Sequence, residues 1–111
     1  MSGVIVIKRG DTLVFTGQYK QKTGVAMDLT GHTLVVNVMD GNDKTVFSIT
    51  GSGANRSVVV IDAVDGRFVV VVKDTEVLRG EEYWLDIKAT GTDGYAHTSK
   101  AIKLKVRNKL V

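Results

Sequence analysis

The 111-residue chain contains no cysteine and no proline, and its aromatic residues are three Phe, three Tyr and a single Trp. Without cysteine there is no disulfide framework and no thiolate metal site. No apolar run approaches the ~18 residues of a membrane span. The N-terminal stretch Met1-Ser2-Gly3-Val4-Ile5-Val6-Ile7-Lys8 is too short, and its charge comes too late, for a signal peptide. The expectation is a chain made in the cytoplasm with no membrane partner. Helical periodicity is also nearly absent.

What the chain does have is Val-rich runs that alternate or continue, with most of its 12 Gly falling between them. That is the pattern of short strands and turns. At 43% hydrophobic and 24% charged, residues 1–111 read as a single ordinary domain. A chain of this size buries roughly two-thirds of its unfolded surface and carries one core. The net charge is only +3, but it is unevenly placed. From Gly94 to Val111 there are five cations (Lys100, Lys103, Lys105, Arg107 and Lys109) and no acid. Such a segment suits either an acidic partner or the solvated face of one strand.

Val4 to Lys8 reads as the first strand and Leu13 to Lys20 as the second, with Gly17 on its apolar face suggesting a bulge or close approach. Thr33 to Met39 follows a corner at Asp28-Leu29-Thr30-Gly31. Asp40-Gly41-Asn42-Asp43 reads as a hairpin turn that sets Leu34 opposite Ile49 and Val36 opposite Phe47. Asp65-Gly66 and Asp93-Gly94 read as two-residue hairpin loops with both residues at positive φ. The first pairs Ile61 with Val70 and Val59 with Val72. It leaves Val58, Val60, Val69 and Val71 on an outer face. The second pairs Leu85 with Ile102, Tyr83 with Leu104 and Ala89 with Thr98. It sets Ile87 against Lys100, a mismatch that a bulge near Ser99 would cure. Between the two hairpins, Asp74 or Thr75 starts one helical turn, and Val77 or Leu78 plugs the end of a sandwich. About eight short strands with regular turn signals imply an all-β fold, an antiparallel β-sandwich of about eight strands.

The residues that carry chemistry do not form a constellation. His32 and His97 have no second His, Cys or carboxylate at ligand spacing. The Asp40–Asp43 turn lacks the length and terminal Glu of a calcium loop. No nucleophile elbow and no phosphate-binding Gly loop is present. Phe15, Phe47, Phe68, Tyr19 and Tyr83 fall on expected core faces, which leaves too few exposed aromatics for a nucleic-acid platform. The expectation is therefore no enzyme, no metal, no cofactor and no nucleic-acid partner. Two surfaces stand out instead. Trp84 falls on an outer face opposite Lys103, with Glu82 opposite Lys105 as a cross-strand ion pair. Val69 and Val71 form part of an apolar outer patch, which usually means a partner surface. The candidate interface residues are Trp84, Lys103, Lys105, Arg107, Val69 and Val71.

Three segments carry a resemblance. They are Gly10-Asp11-Thr12-Leu13-Val14-Phe15, then Met27-Asp28-Leu29-Thr30-Gly31-His32-Thr33-Leu34, then Asp65-Gly66-Arg67-Phe68 running through Thr75 and Leu78 to Gly80-Glu81-Glu82-Tyr83-Trp84-Leu85-Asp86-Ile87. In that order they resemble the small immunoglobulin-like domains of tailed bacteriophages, and the N-terminal domain of phage baseplate upper proteins is a similar case. The resemblance implies an immunoglobulin-like fold and a virion structural role: a joint, adaptor, baseplate or capsid decoration subunit in many symmetric copies, bound to other virion proteins. It carries over no catalytic residue. The sequence holds no fibre, receptor-binding head or coiled coil, so docking onto another virion protein or onto itself is expected over host recognition. A carbohydrate-binding or adhesion module is the alternative, and it would need two or three coplanar exposed aromatics where only Trp84 and Tyr95 are candidates.

Overall fold

The computed structural model describes residues 4–21, 23–99 and 102–107. Nine strands form among these residues: β1 (Val4–Lys8), β2 (Leu13–Gln18), β3 (Thr33–Met39), β4 (Thr45–Thr50), β5 (Arg56–Asp62), β6 (Arg67–Val72), β7 (Glu82–Thr90), β8 (Ala96–Thr98) and β9 (Ile102–Arg107). One sheet runs β1-β9-β7-β3-β4, with β8 also on β7, and the other runs β2-β6-β5. All pairings are antiparallel except that of β1 with β9. The eight expected strands become nine because the last one divides into β8 and β9.

Alternation explains the two inner faces. Leu34, Val36 and Val38 of β3, Leu85, Ile87 and Ala89 of β7, and Ile102, Leu104 and Val106 of β9 are buried from one sheet. Leu13 of β2, Val58 of β5 and Phe68, Val70 and Val72 of β6 meet them from the other. Phe68 sits fully buried, with the Phe15 ring tilted against it at 6.1 Å. Burial of one such ring contributes about 2–3 kcal/mol. β2 runs in unbroken register past Gly17, which lies opposite Phe68, so the expected bulge there is absent.

Neither Asp-Gly pair forms the expected two-residue loop. Gly66 and Gly94 have positive φ, but Asp65 and Asp93 do not. The first loop spans residues 63–66, and its Gly66 N–H donates to Ala63 O at 3.1 Å. Val60 then pairs with Phe68, Val59 with Val69 and Val58 with Val70, before a bulge ahead of Asp62. Relative to the expected register β5 has slipped, and such a slip exchanges its faces. Val58 and Val60 point inward, while Val59 and Ile61 are 39% and 56% exposed.

In the second hairpin, Gly91 N–H donates to Tyr95 O across a three-residue loop that ends in left-handed Gly94. Ala89 pairs with His97 rather than Thr98. The register changes at Ser99, whose N–H donates to Ile87 O, and β9 then pairs with β7 as expected. Lys100 and Lys109 lie outside the described residues. The Asp40–Lys44 turn repeats this loop form, with Asp43 at φ 59. Val36 pairs with Ile49 and Val38 with Phe47, two positions from the expected register, which keeps every face unchanged.

The β6–β7 corner closes one end of the sandwich. A 3-10 turn covers Thr75–Val77, where Leu78 is buried as the plug and Val77 is exposed. Asp74 makes no side-chain cap. Its carboxylate instead accepts two bonds from the Arg56 guanidinium, at 3.1 and 2.9 Å, and that guanidinium lies 3.9 Å over the Phe47 ring.

Candidate docking faces

β9 alternates strictly. With Ile102, Leu104 and Val106 inside, Lys103, Lys105 and Arg107 form a basic stripe outside. Parallel pairing sets exposed Val4 beside Lys103, Val6 beside Lys105 and Lys8 beside Arg107. On the other side Trp84 lies opposite Lys103, with Met39 of β3 next in the same row. The Lys103 ammonium sits 6.0 Å from the centre of the Trp84 ring and 3.1 Å from the Glu82 carboxylate. The Glu82–Lys105 pair expected from register does not form. Glu82 is taken diagonally by Lys103, within reach of a long side chain. Both contacts are exposed and contribute under ~1 kcal/mol each. Beyond the Trp84 row the face turns polar, where Asn37 donates to Asp86 at 3.0 Å and accepts from Ser48 at 2.7 Å.

Val69 and Val71 are half-buried on the outer face of the opposite sheet. Val71 lies between Val14 and Ser57, and Val69 between Thr16 and Val59. Val14 is 62% exposed, so the patch is Val14, Val59, Val69 and Val71 rather than Val58 and Val60 with the β6 pair. The candidate residues therefore divide. Trp84, Lys103, Lys105 and Arg107 share one side of the sandwich, and Val69 and Val71 belong to the other.

Sequence reasoning placed Tyr83 in the core but missed what it does there. Its hydroxyl accepts from Arg79 N–H at 2.8 Å and donates to Arg79 O at 3.2 Å. Burial raises its pKa, the Glu81 carboxylate adds to that, and the Arg79 N–H works against it. A Tyr opening the strand after a corner, two residues before a buried position such as Leu85, was the available signal. The Asp28–Gly31 corner is also structural. Asp28 accepts from Thr30 N–H and Oγ1, which holds its carboxyl below the usual range, and Leu29 is buried beneath. Among the described residues no group of three His, Cys, Asp or Glu comes together, and no helix is long and apolar enough to cross a membrane.

Three strands facing a sheet of six among the described residues, with β4 beside β3 and a tyrosine tied back across the β6–β7 corner, define an immunoglobulin-like β-sandwich. No family model matches the sequence, and no curated protein matches it. Among solved structures the chain is similar to the N-terminal domain of phage TP901-1 ORF48, with a TM-score of 0.66 at 14% identity over 95% of this chain and 85% of that one. The likeness is one of fold. It meets the resemblance to phage immunoglobulin-like domains carried by the short motifs.

Proposed function

We propose that this chain is a non-enzymatic structural protein of a phage virion, made in the host cytoplasm and acting as one domain that docks other virion proteins. The observation that carries the reading is the likeness of fold to a phage protein's N-terminal domain along nearly the whole chain. Two further features support it. Trp84 is half-buried beside a basic stripe, and Trp is enriched at interfaces. The Val14/Val59/Val69/Val71 patch lies on the opposite side, so the domain offers one apolar anchor to each of two neighbours. That arrangement suits a joint or adaptor present in several symmetric copies. A glycan-binding reading has less to stand on, because Trp84 and Tyr95 lie at opposite ends of β7, about 20 Å apart.

The test is lysine-directed cross-linking and mass spectrometry of purified particles. The expected result is this chain in the particle, with Lys103 or Lys105 linked to another virion protein. Trp84→Ala should weaken its incorporation at least tenfold and leave its unfolding midpoint unchanged. Absence from particles, or full incorporation of the variant, overturns the reading.

A further inference from the structure

A third surface, separate from both docking faces, lies at the other end of β7. Between β8 and the turn that follows β2 there is an open groove of about 1120 Å³. Tyr19, Lys20 and Met27 line one wall, and Ala96, His97 and Thr98 line the other. We propose that this groove binds an extended polypeptide segment of a partner protein, taken up as an added strand on the open edge of β8.

Hydrogen-bond alternation carries the inference. Gly91 N–H donates to Tyr95 O, and Ser99 N–H donates to Ile87 O. The Tyr95 carbonyl, the backbone groups of His97 and the Ser99 N–H therefore turn toward β7. Ala96 and Thr98 turn their N–H and C=O groups the other way, into the groove. Among the described residues β8 has no second strand neighbour. β1 runs along the same side of the sheet but pairs only with β9, starting where Val4 meets Lys103. The lane beside β8 is thus empty among the described residues. An exposed row of such groups is a template for another strand.

The lining also states what the strand is made of. It carries Lys20 and His97 and no acid. The segment is neutral or acidic, extended, and free of Pro at the positions facing Ala96 and Thr98. Its inward side chain packs on Tyr19 and Met27. Two residues of edge give few bonds, so the single contact is weak. Many copies on one particle would strengthen it through avidity. The inference does not depend on the proposed virion role.

The test selects binders from a displayed library of random ten-residue peptides on the immobilised full chain. Selected peptides should slow amide exchange of Ala96 and Thr98 at least tenfold. N-methylating alternate backbone amides of the peptide should cost at least tenfold in affinity, because it removes strand pairing and leaves side chains unchanged. Ala96→Pro should cost as much without unfolding the protein, since the lost N–H points outward. Binding to Trp84→Ala should be unchanged, which separates this site from the docking face. No enriched peptide, protection elsewhere in the chain, or full binding by the N-methylated peptide overturns the proposal, and that last readout holds even where Ala96→Pro does not fold.

Discussion

Tyr83 holds both backbone groups of Arg79: its hydroxyl accepts the N–H at 2.8 Å and donates to the carbonyl at 3.2 Å. They are four positions apart, so this oxygen ties the end of the β6–β7 corner to the start of β7. The corner sets where β7 begins, and β7 sits between β3 and β9, so it fixes the row in which Trp84 meets Lys103.

Tyr83→Phe should therefore destabilise the fold by about 1–2 kcal/mol, the usual cost of leaving a partly buried N–H unmatched, while Arg79 O keeps its bond from Glu81 N–H at 2.8 Å. Denaturant unfolding measures it. The same residue gives the protein an alkaline limit. Burial raises the Tyr83 and Tyr19 hydroxyls above their ordinary value of 10.0. A folded-state value above the unfolded one means the stabilisation is complete below pH 10 and is lost as pH rises through the folded-state values. Unfolding midpoints should be flat from pH 7 to about 9.5 and fall beyond it. Tyr83→Phe should flatten part of that fall. An unchanged alkaline limb in the variant would assign the loss to Tyr19 or to lysines.

Gly66 and Gly94 end the two hairpins at similar φ, +68 and +86, yet they should not tolerate the same change. A Cβ on Gly66 would lie 2.6 Å from Met27 O and 2.7 Å from Tyr19 O, whereas one on Gly94 meets nothing within 4 Å. Both substitutions force an L-residue into the left-handed region, at about 1–2 kcal/mol. Gly66→Ala must also push apart the loop and the Tyr19–Met27 turn, held by Tyr19 N–H to Gly66 O at 2.7 Å. Gly94→Ala should cost about 1 kcal/mol and Gly66→Ala about 3 kcal/mol or more. Equal losses in parallel melts would show that the turn yields freely.

These loops also show what the sequence could and could not convey. The β7–β9 register was legible because Tyr83, Leu85, Ile102 and Leu104 alternate with polar or amphipathic residues, so only one phase buries a clean face. Val58-Val59-Val60-Ile61 is apolar on both faces and fits either phase. The decision there passed to the turn, and the turn was longer than an Asp-Gly pair suggests. Gly occupies the last, left-handed loop position with Asp before it, and Asp43 takes that same position without Gly. Trp84 and Lys103 were legible as neighbours, since adjacency follows from register. The Lys103–Glu82 pair was not, because a long side chain chooses among diagonal partners by contacts that register does not set. The groove at β8 was hidden for a similar reason. It arises from the register change at Ser99 and from a turn some 75 residues earlier, and neither is a local pattern.

Thr75 is the one fully buried polar side chain among the described residues, and it joins the two corners at one end of the sandwich. Its hydroxyl accepts from Gly10 N–H at 2.9 Å and donates to Asp11 O at 2.5 Å. The Gly-Asp-Thr segment is thus tied to the β6–β7 corner by an oxygen that water does not reach. Thr75→Val keeps the shape and removes the oxygen, leaving one partly buried donor and one partly buried acceptor without it. The expected loss is about 2–3 kcal/mol, or roughly 8–20 °C in melting temperature for a domain of this size. Thr75→Ser keeps the hydroxyl and gives up one methyl, so it should cost about 1 kcal/mol. The ratio of the two losses, read in the same melt, separates the hydrogen bonds from the packing. If Val and Ser cost the same, the corner is held by volume and the hydroxyl is incidental.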